Sequence, residues 1–174
     1  GGKHRTLVVT VAEQVGALKA ELPALPANNF IAEPLGKNTA PCIGLAALEV
    51  MRRDPNGVMV VLPADHWVAD VKAFQRTLKS AVALAKKHAR LVTIGIRPDY
   101  PETGYGYIMK SGKLAASRSA FQVKRFTEKP NEAAAKQLIR QGSLWNSGIF
   151  VWKASLVLDL LNRYQPAIGA ALSR

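Results

Sequence analysis

Apolar positions in this chain follow two rhythms. Unbroken runs such as Leu7-Val8-Val9-Thr10, Val58-Met59-Val60-Val61-Leu62 and Leu91-Val92-Thr93-Ile94-Gly95-Ile96 have the length and β-branched content of buried strands. Between them, apolar residues recur at helical spacing. Val11, Val15, Leu18 and Leu22 form one stripe, which Pro23 stops. Phe74, Leu78, Ala81, Val82 and Ala85 form another, within a helix expected over residues 71–89. Phe30-Ile31-Ala32-Glu33 is expected to be extended, since Pro34 disfavours helical geometry before it. Gly36-Lys37-Asn38-Thr39 reads as a loop. Asn38 or Thr39 can then cap a helix through about Arg53, with Pro41 in its first turn.

The pattern changes after Ile96. Residues 105–109 and 121–126 are expected as strands around a basic Gly-Ser loop. A helix follows over residues 131–141, capped by Asn131 and closed by Gly142. Ile149-Phe150-Val151-Trp152 is the last expected strand, before an amphipathic helix reaching about Tyr164. Strand and helix alternate through the first half, the signature of an α/β fold with crossover helices. No internal repeat, low-complexity tract or linker is evident.

Composition narrows the class. The 174 residues are 48% hydrophobic, enough for one compact domain. No run of 18 apolar residues is present, so no membrane helix is expected. Gly1-Gly2-Lys3-His4-Arg5 has no apolar stretch behind it and is not read as a signal peptide. The single cysteine, Cys42, cannot form an internal disulfide and reads as a small core residue, which fits a reducing cytoplasm. Lys and Arg number 24 against 12 Asp and Glu, a net charge of +12. That balance favours an anionic partner. The basic residues are dispersed, however, and most suit solvated helix faces.

Five segments carry candidate chemistry, and each has a plainer reading beside it. Pro63-Ala64-Asp65-His66 ends a buried strand and delivers a carboxylate to the sheet edge where α/β proteins bind ligands. An acid there suits a divalent metal and its phosphates, though capping or turn duty is the commoner use. The stretch from Glu33 and Pro34 to Lys37, Asn38 and Thr39 leads into a helix N-terminus, either an anion-friendly end or an ordinary capped loop. Gly104-Tyr105-Gly106 permits close backbone approach and aromatic stacking on a sugar, or marks a bulged strand start. Glu128-Lys129-Pro130 offers a compact cation for a phosphate, or a surface ion pair. Asn146 in Trp145-Asn146-Ser147-Gly148 presents donor and acceptor together, as adjacent sugar hydroxyls require, or sits in a turn before a strand.

In this order and spacing the segments resemble the sugar-1-phosphate nucleotidyltransferases, most nearly their mannose-1-phosphate guanylyltransferase branch. The likeness rests on Leu7-Val8-Val9-Thr10, Ala32-Glu33-Pro34 with Lys37-Asn38-Thr39-Ala40-Pro41, Pro63-Ala64-Asp65-His66, Thr103-Gly104-Tyr105-Gly106-Tyr107-Ile108, Phe126-Thr127-Glu128-Lys129-Pro130 and Trp145-Asn146-Ser147-Gly148-Ile149-Phe150. It implies a Rossmann-like, GT-A-like α/β fold with a mixed, mainly parallel sheet flanked by helices. It implies GTP, mannose 1-phosphate and GDP-mannose as ligands, Mg²⁺ as the cofactor, and a homodimeric full-length enzyme. Glu33, Pro34, Lys37, Asn38 and Thr39 would lie beside base and ribose. Asp65 would hold Mg²⁺. Gly104, Tyr105, Glu128, Asn146 and Gly148 would face the sugar, and Lys129 its phosphate.

Two family parts find no match. One is the opening strand with its glycine-rich Gly-Gly-x-Gly-x-Arg-Leu loop. The other is a second metal-binding Asp, for which only Asp159 remains after Trp152, expected mid-helix and exposed. The chain therefore reads as a partial nucleotidyltransferase domain over residues 1–174, truncated at both ends and expected to lack useful activity alone. A relative with another base or sugar is the nearest alternative. A basic nucleic-acid-binding module is a second, but no recognition-helix or groove motif is evident.

Overall fold

Strand formation follows the apolar runs closely. The computed structural model describes residues 2–33, 36, 38–114 and 119–173. In chain order they form β1 (Val8–Val11), α1 (Val15–Glu21), β2 (Phe30–Glu33), α2 (Thr39–Arg53), β3 (Val58–Val61), α3 (Val71–Lys87), β4 (Val92–Ile96), β5 (Tyr107–Lys113), β6 (Phe121–Thr127), α4 (Glu132–Arg140), β7 (Leu144–Lys153), α5 (Ala154–Tyr164) and α6 (Pro166–Leu172). Their contacts divide the chain into two compact units.

The first unit comprises residues 1–59, 82–90 and 152–174. Its β1 and β2 pair in parallel, Val8 opposite Phe30 and Val11 opposite Glu33. Helices α2, α5 and α6 pack on one another, burying Ile43, Ala46 and Ala47 of α2 and Ala154 and Val157 of α5. The three alanines among them let helix axes approach closely. Asp159 sits on the exposed side of α5, as expected. The C-terminal end of α2 is tied down by Arg53, which donates to the carbonyls of His4 and Asn28 and to Asn29 Oδ1.

The second unit comprises residues 60–81 and 91–151. It carries most of a five-stranded sheet of order β3-β7-β5-β6, with β4 also on β7. The mixed α/β arrangement expected of the sequence is present. Parallel pairing joins β1 to β2, whereas β4–β7, β5–β6 and β5–β7 are antiparallel. β5 and β6 form a hairpin, and β6 leads through α4 across β5 to β7, which pairs antiparallel on the other edge of β5. Tyr107, Ala135, Leu138 and Trp145 form the core under α4. Asn131 caps α4, its side chain accepting from Ala134 N at 2.9 Å, and Gly142 closes it at φ +75°, both as the sequence predicts.

Candidate functional site

β7 is longer than its apolar core suggests. It begins at Leu144, so Trp145, Asn146, Ser147 and Gly148 lie inside the strand rather than before it. Buried and half-buried residues alternate along it, turning Trp145 into the α4 core and Asn146 the other way. The β4–β7 register breaks here: Thr93 faces Phe150, yet Gly95 faces Asn146. This irregularity sets Gly148 at φ +70°, a conformation that favours glycine. Ser147 fills the gap in the ladder, its hydroxyl donating to Ile94 O at 2.7 Å and accepting from Ile149 N at 3.1 Å.

The bulge fixes Asn146. Its Oδ1 accepts from Thr93 Oγ1 at 3.2 Å and from Gly148 N at 3.3 Å. Because a backbone N–H is an obligate donor, the atom facing it is the oxygen. The amide nitrogen, with two donors, has no partner among the described residues. Asn146 is half-buried, so these donors remain accessible to a ligand.

Gly104, Tyr105 and Gly106 run up to β5, and Glu128 and Lys129 leave β6. The two connections meet: Lys129 N donates to Tyr105 O at 3.2 Å, and Asn146 N donates to Gly106 O at 2.7 Å. A Cβ on Gly106 would lie 2.8 Å from Glu128 Oε2 and 2.6 Å from Phe126 Cζ, so only glycine lets the Glu128 carboxylate sit there. Gly104 is bound by its N–H to Glu102 Oε1 at 2.7 Å, and the Glu102 carbonyl accepts from the Tyr107 hydroxyl at 2.8 Å. Tyr105 packs edge-on to Trp145 at 5.4 Å, as Tyr100 does at 5.0 Å, and keeps 46% of its surface exposed. The Tyr100 phenol has its pKa raised, by desolvation first and then by its bond to Glu102.

Lys129 and Glu128 form a loose ion pair, Nζ to Oε1 at 3.6 Å, with both side chains exposed. Such a pair contributes little to stability. The Lys129 backbone is unusual: φ is +41° immediately before Pro130, where extended geometry is the norm. A lysine held in the left-handed region stores strain of a kind that clusters at functional sites.

Asp65 follows β3 on an exposed turn. Two residues earlier Pro63 approaches β7, its Cγ 3.3 Å from where a Gly148 Cβ would stand. That contact brings the Asp65 segment beside the Asn146 bulge. Among the described residues no group of three or more His, Cys, Asp or Glu is placed to hold a metal. Mg²⁺ keeps several waters and needs only one or two carboxylates when phosphates complete its shell. One exposed carboxylate therefore fits an ion that arrives with phosphates, not a caged one.

The remaining predicted residues belong to the first unit. Glu33 ends β2 and is buried. Its charge is the second cause, after burial, of a raised pKa at Cys42, which is half-buried on α2. Asn38 is the N-cap residue of α2 at φ +69°, but its side chain makes no capping bond, contrary to the ordinary capped loop. The first-turn N–H groups of α2 therefore receive no bond from the Asn38 side chain. Pro34 and Lys37 lie outside the described residues.

Structure thus brings Tyr105, Glu128, Lys129, Asn146 and Gly148 together in one unit, with Pro63 linking Asp65 to them. Sequence reasoning missed Gly106, Glu102 and Thr93. The Gly-Tyr-Gly string held the signal for Gly106, but spacing alone did not separate it from Gly104. Thr93 carried none, because its value depends on a register break.

The sequence pattern of the family described as nucleotidyl transferase matches residues 2–174. A curated relative, xanthan biosynthesis protein XanB of Xanthomonas campestris pv. campestris (strain B100), is 40% identical over 173 residues, covering 99% of this chain and 34% of that protein. The mannose-1-phosphate guanylyltransferase of Escherichia coli (strain K12) is 41% identical over 172 residues, covering 95% of this chain and 34% of that protein. Among solved structures, a mannose-1-phosphate geranyltransferase from Thermus thermophilus superposes with a TM-score of 0.88 at 32% identity, over 99% of this chain and 49% of that one. The chain spans about a third of the length of these curated relatives.

Proposed function

Since the chain belongs to the nucleotidyl transferase family, we propose that it supplies sugar- and nucleotide-binding parts of a mannose-1-phosphate guanylyltransferase. The reaction is GTP plus mannose 1-phosphate giving GDP-mannose plus pyrophosphate. A phosphate oxygen of mannose 1-phosphate forms a bond to the α-phosphorus of GTP. The bond from that phosphorus to the bridging oxygen breaks, and pyrophosphate leaves with the electron pair. No protein nucleophile is required, so positioning and charge neutralisation carry the catalysis.

The observation that carries this reading is the meeting of three segments around the β7 bulge. Asn146 offers two free donors beside the Glu128 carboxylate, which only accepts, and together they suit a polyol. Lys129 offers a compact cation at the same place for the sugar phosphate. Gly148, without a side chain, lets Pro63, and with it the Asp65 segment, approach the strand at this point. Asp65 would hold Mg²⁺, which supplies charge neutralisation at the nucleotide phosphates. In the first unit, Glu33, Asn38 and Thr39, with Pro34 and Lys37, would meet guanine and ribose, and the first-turn N–H groups of α2 suit that polar ligand. The name of the Escherichia coli relative supports guanine and mannose over other bases and sugars. A cytoplasmic location and a homodimeric full-length protein belong to the same proposal.

Calorimetry with GDP-mannose and Mg²⁺, with GDP-glucose and UDP-glucose in parallel, tests it. Selective binding of GDP-mannose is expected. Equal or tighter binding of UDP-glucose would replace the base assignment, and binding of none by the folded chain would overturn the reading.

A further inference from the structure

The hairpin that carries Glu128 has a second polar surface, on its α4 side. A cavity of about 770 Å³ opens between α4 and strands β5 and β6, within the size range of small-molecule sites. Lys110, Lys124 and Arg125 line it with Gln137, Gln141 and Thr127, over a floor that includes Met109 and Leu138. Among the described residues no acidic side chain lines it.

Strand geometry makes that lining unusual. Lys124 and Arg125 are adjacent, and in a regular strand they would point to opposite faces. The β5–β6 register jumps between Met109, opposite Arg125, and Lys110, opposite Val123. Lys124 is the extra residue of a bulge, the device by which a strand re-aims a side chain. Both cations thereby reach one cavity. Neither forms an ion pair among the described residues, where the pairs involve Arg52, Arg53, Lys129 and Lys136. Lys110, next to Met109 and opposite Val123, turns by strand alternation to the other face, where its Nζ rests over the Phe121 ring at 5.0 Å, so it borders the cavity without supplying its charge to it. On α4, Gln137 and Gln141 stand one helical turn apart and bring amide donors to the same space. Glu132, the acid nearest on that helix, is engaged with Lys136 at 2.6 Å.

We propose that this cavity binds a small phosphorylated anion, independently of the candidate site. Two cations, two amides and a hydroxyl match a phosphate or diphosphate group, and the Met109–Leu138 floor accepts the body of an ester. Alternation along β6 puts Arg125 and Thr127 on the α4 side and Phe126 and Glu128 on the other, so the two sites share a strand but not a face.

Amide chemical-shift mapping on the full chain tests this, with inorganic pyrophosphate and mannose 1-phosphate as separate titrants and no Mg²⁺. Saturable shifts at Lys124, Arg125, Thr127 and the Gln137 and Gln141 side chains are expected for at least one of them. The titrant that binds tighter distinguishes free diphosphate from ester. A Lys124→Gln/Arg125→Gln variant should bind at least tenfold more weakly. Gln137→Glu, which leaves the hairpin intact, should weaken binding at least fivefold. Shifts that never saturate with either titrant, or unchanged affinity in both variants, would overturn the proposal. Shifts confined to Asn146 and Gly148 would also overturn it while supporting the candidate sugar site, so the two readings fail separately.

Discussion

Two asparagines show how differently the two units use the same side chain. Asn29 in the first unit is 1% exposed. Its Nδ2 donates to the carbonyls of Lys3 and Thr6 at 3.0 and 2.8 Å, and its Oδ1 accepts from Arg53 at 2.9 Å. Arg53 is in turn held by Glu49 at 2.6 Å. Every partner lies within the protein, so the network is closed. Asn146 in the second unit uses only its oxygen internally, and its nitrogen is left over. A closed amide ties chain segments together. An open one, held from behind by a bulge, has donors aimed outward at no reorganisation cost, which is what a pre-formed binding site needs.

The largest expected effect lies on the closed side. Asn29→Ala removes three hydrogen bonds of a buried side chain and loosens Arg53, and should cost about 3 kcal/mol by urea denaturation. A loss below about 1 kcal/mol would mean water replaces the amide and the network is not closed. Next, Gly148→Ala forces an alanine to φ +70° against Pro63. It should cost about 2 kcal/mol and weaken GDP-mannose binding too, because the bulge that orients Asn146 is disturbed. Unchanged stability would show that the bulge is soft.

Asn146→Asp is the sharpest discriminator. It keeps both acceptor bonds and removes the two outward donors. Stability should change by less than about 1 kcal/mol while GDP-mannose binding falls roughly tenfold, about 1.4 kcal/mol. Equal losses in both readouts would erase the distinction between the two asparagines. The smallest effect is in pH. Bonds from Arg52 and then Arg53 lower the Glu49 pKa to about 2, against roughly 4.3 in an unfolded chain. The folded state therefore binds fewer protons between those values, and this stabilisation is complete above about pH 4.5 and lost as pH falls toward 2. Glu49→Gln should flatten that limb of the stability–pH profile, while Asn146→Asp should leave the Glu49 contribution in place.

Much of the architecture was legible because it is local. Apolar runs placed β1, β3 and β4, and Asn131 and Gly142 bounded α4, since caps act within a turn of the residue that makes them. Ordered motifs also pointed to the family and to the site residues that later met. Less legible was anything requiring a partner from elsewhere in the chain. Trp145 to Gly148 contain the turn-forming Asn, Ser and Gly, so they read as a strand entrance, yet β4 and β5 recruit them into β7. Asn38 has the chemistry of a cap but sits at positive φ and does not cap. Helix α6, which Pro166 opens as an N-terminal proline can, lies beyond the last helix read from the sequence.

Taken alone, then, the order of residues specifies which segments are strands and helices and which motifs stand together, because periodicity, caps and prolines act over a few residues. Folding in three dimensions adds that Gly106 rather than Gly104 is the close approach, that Thr93 and Gly148 hold Asn146 with its donors outward, and that Lys124 shares a cavity with Arg125. Each of those outcomes depends on strand register, and register is set by pairing between residues far apart in the chain.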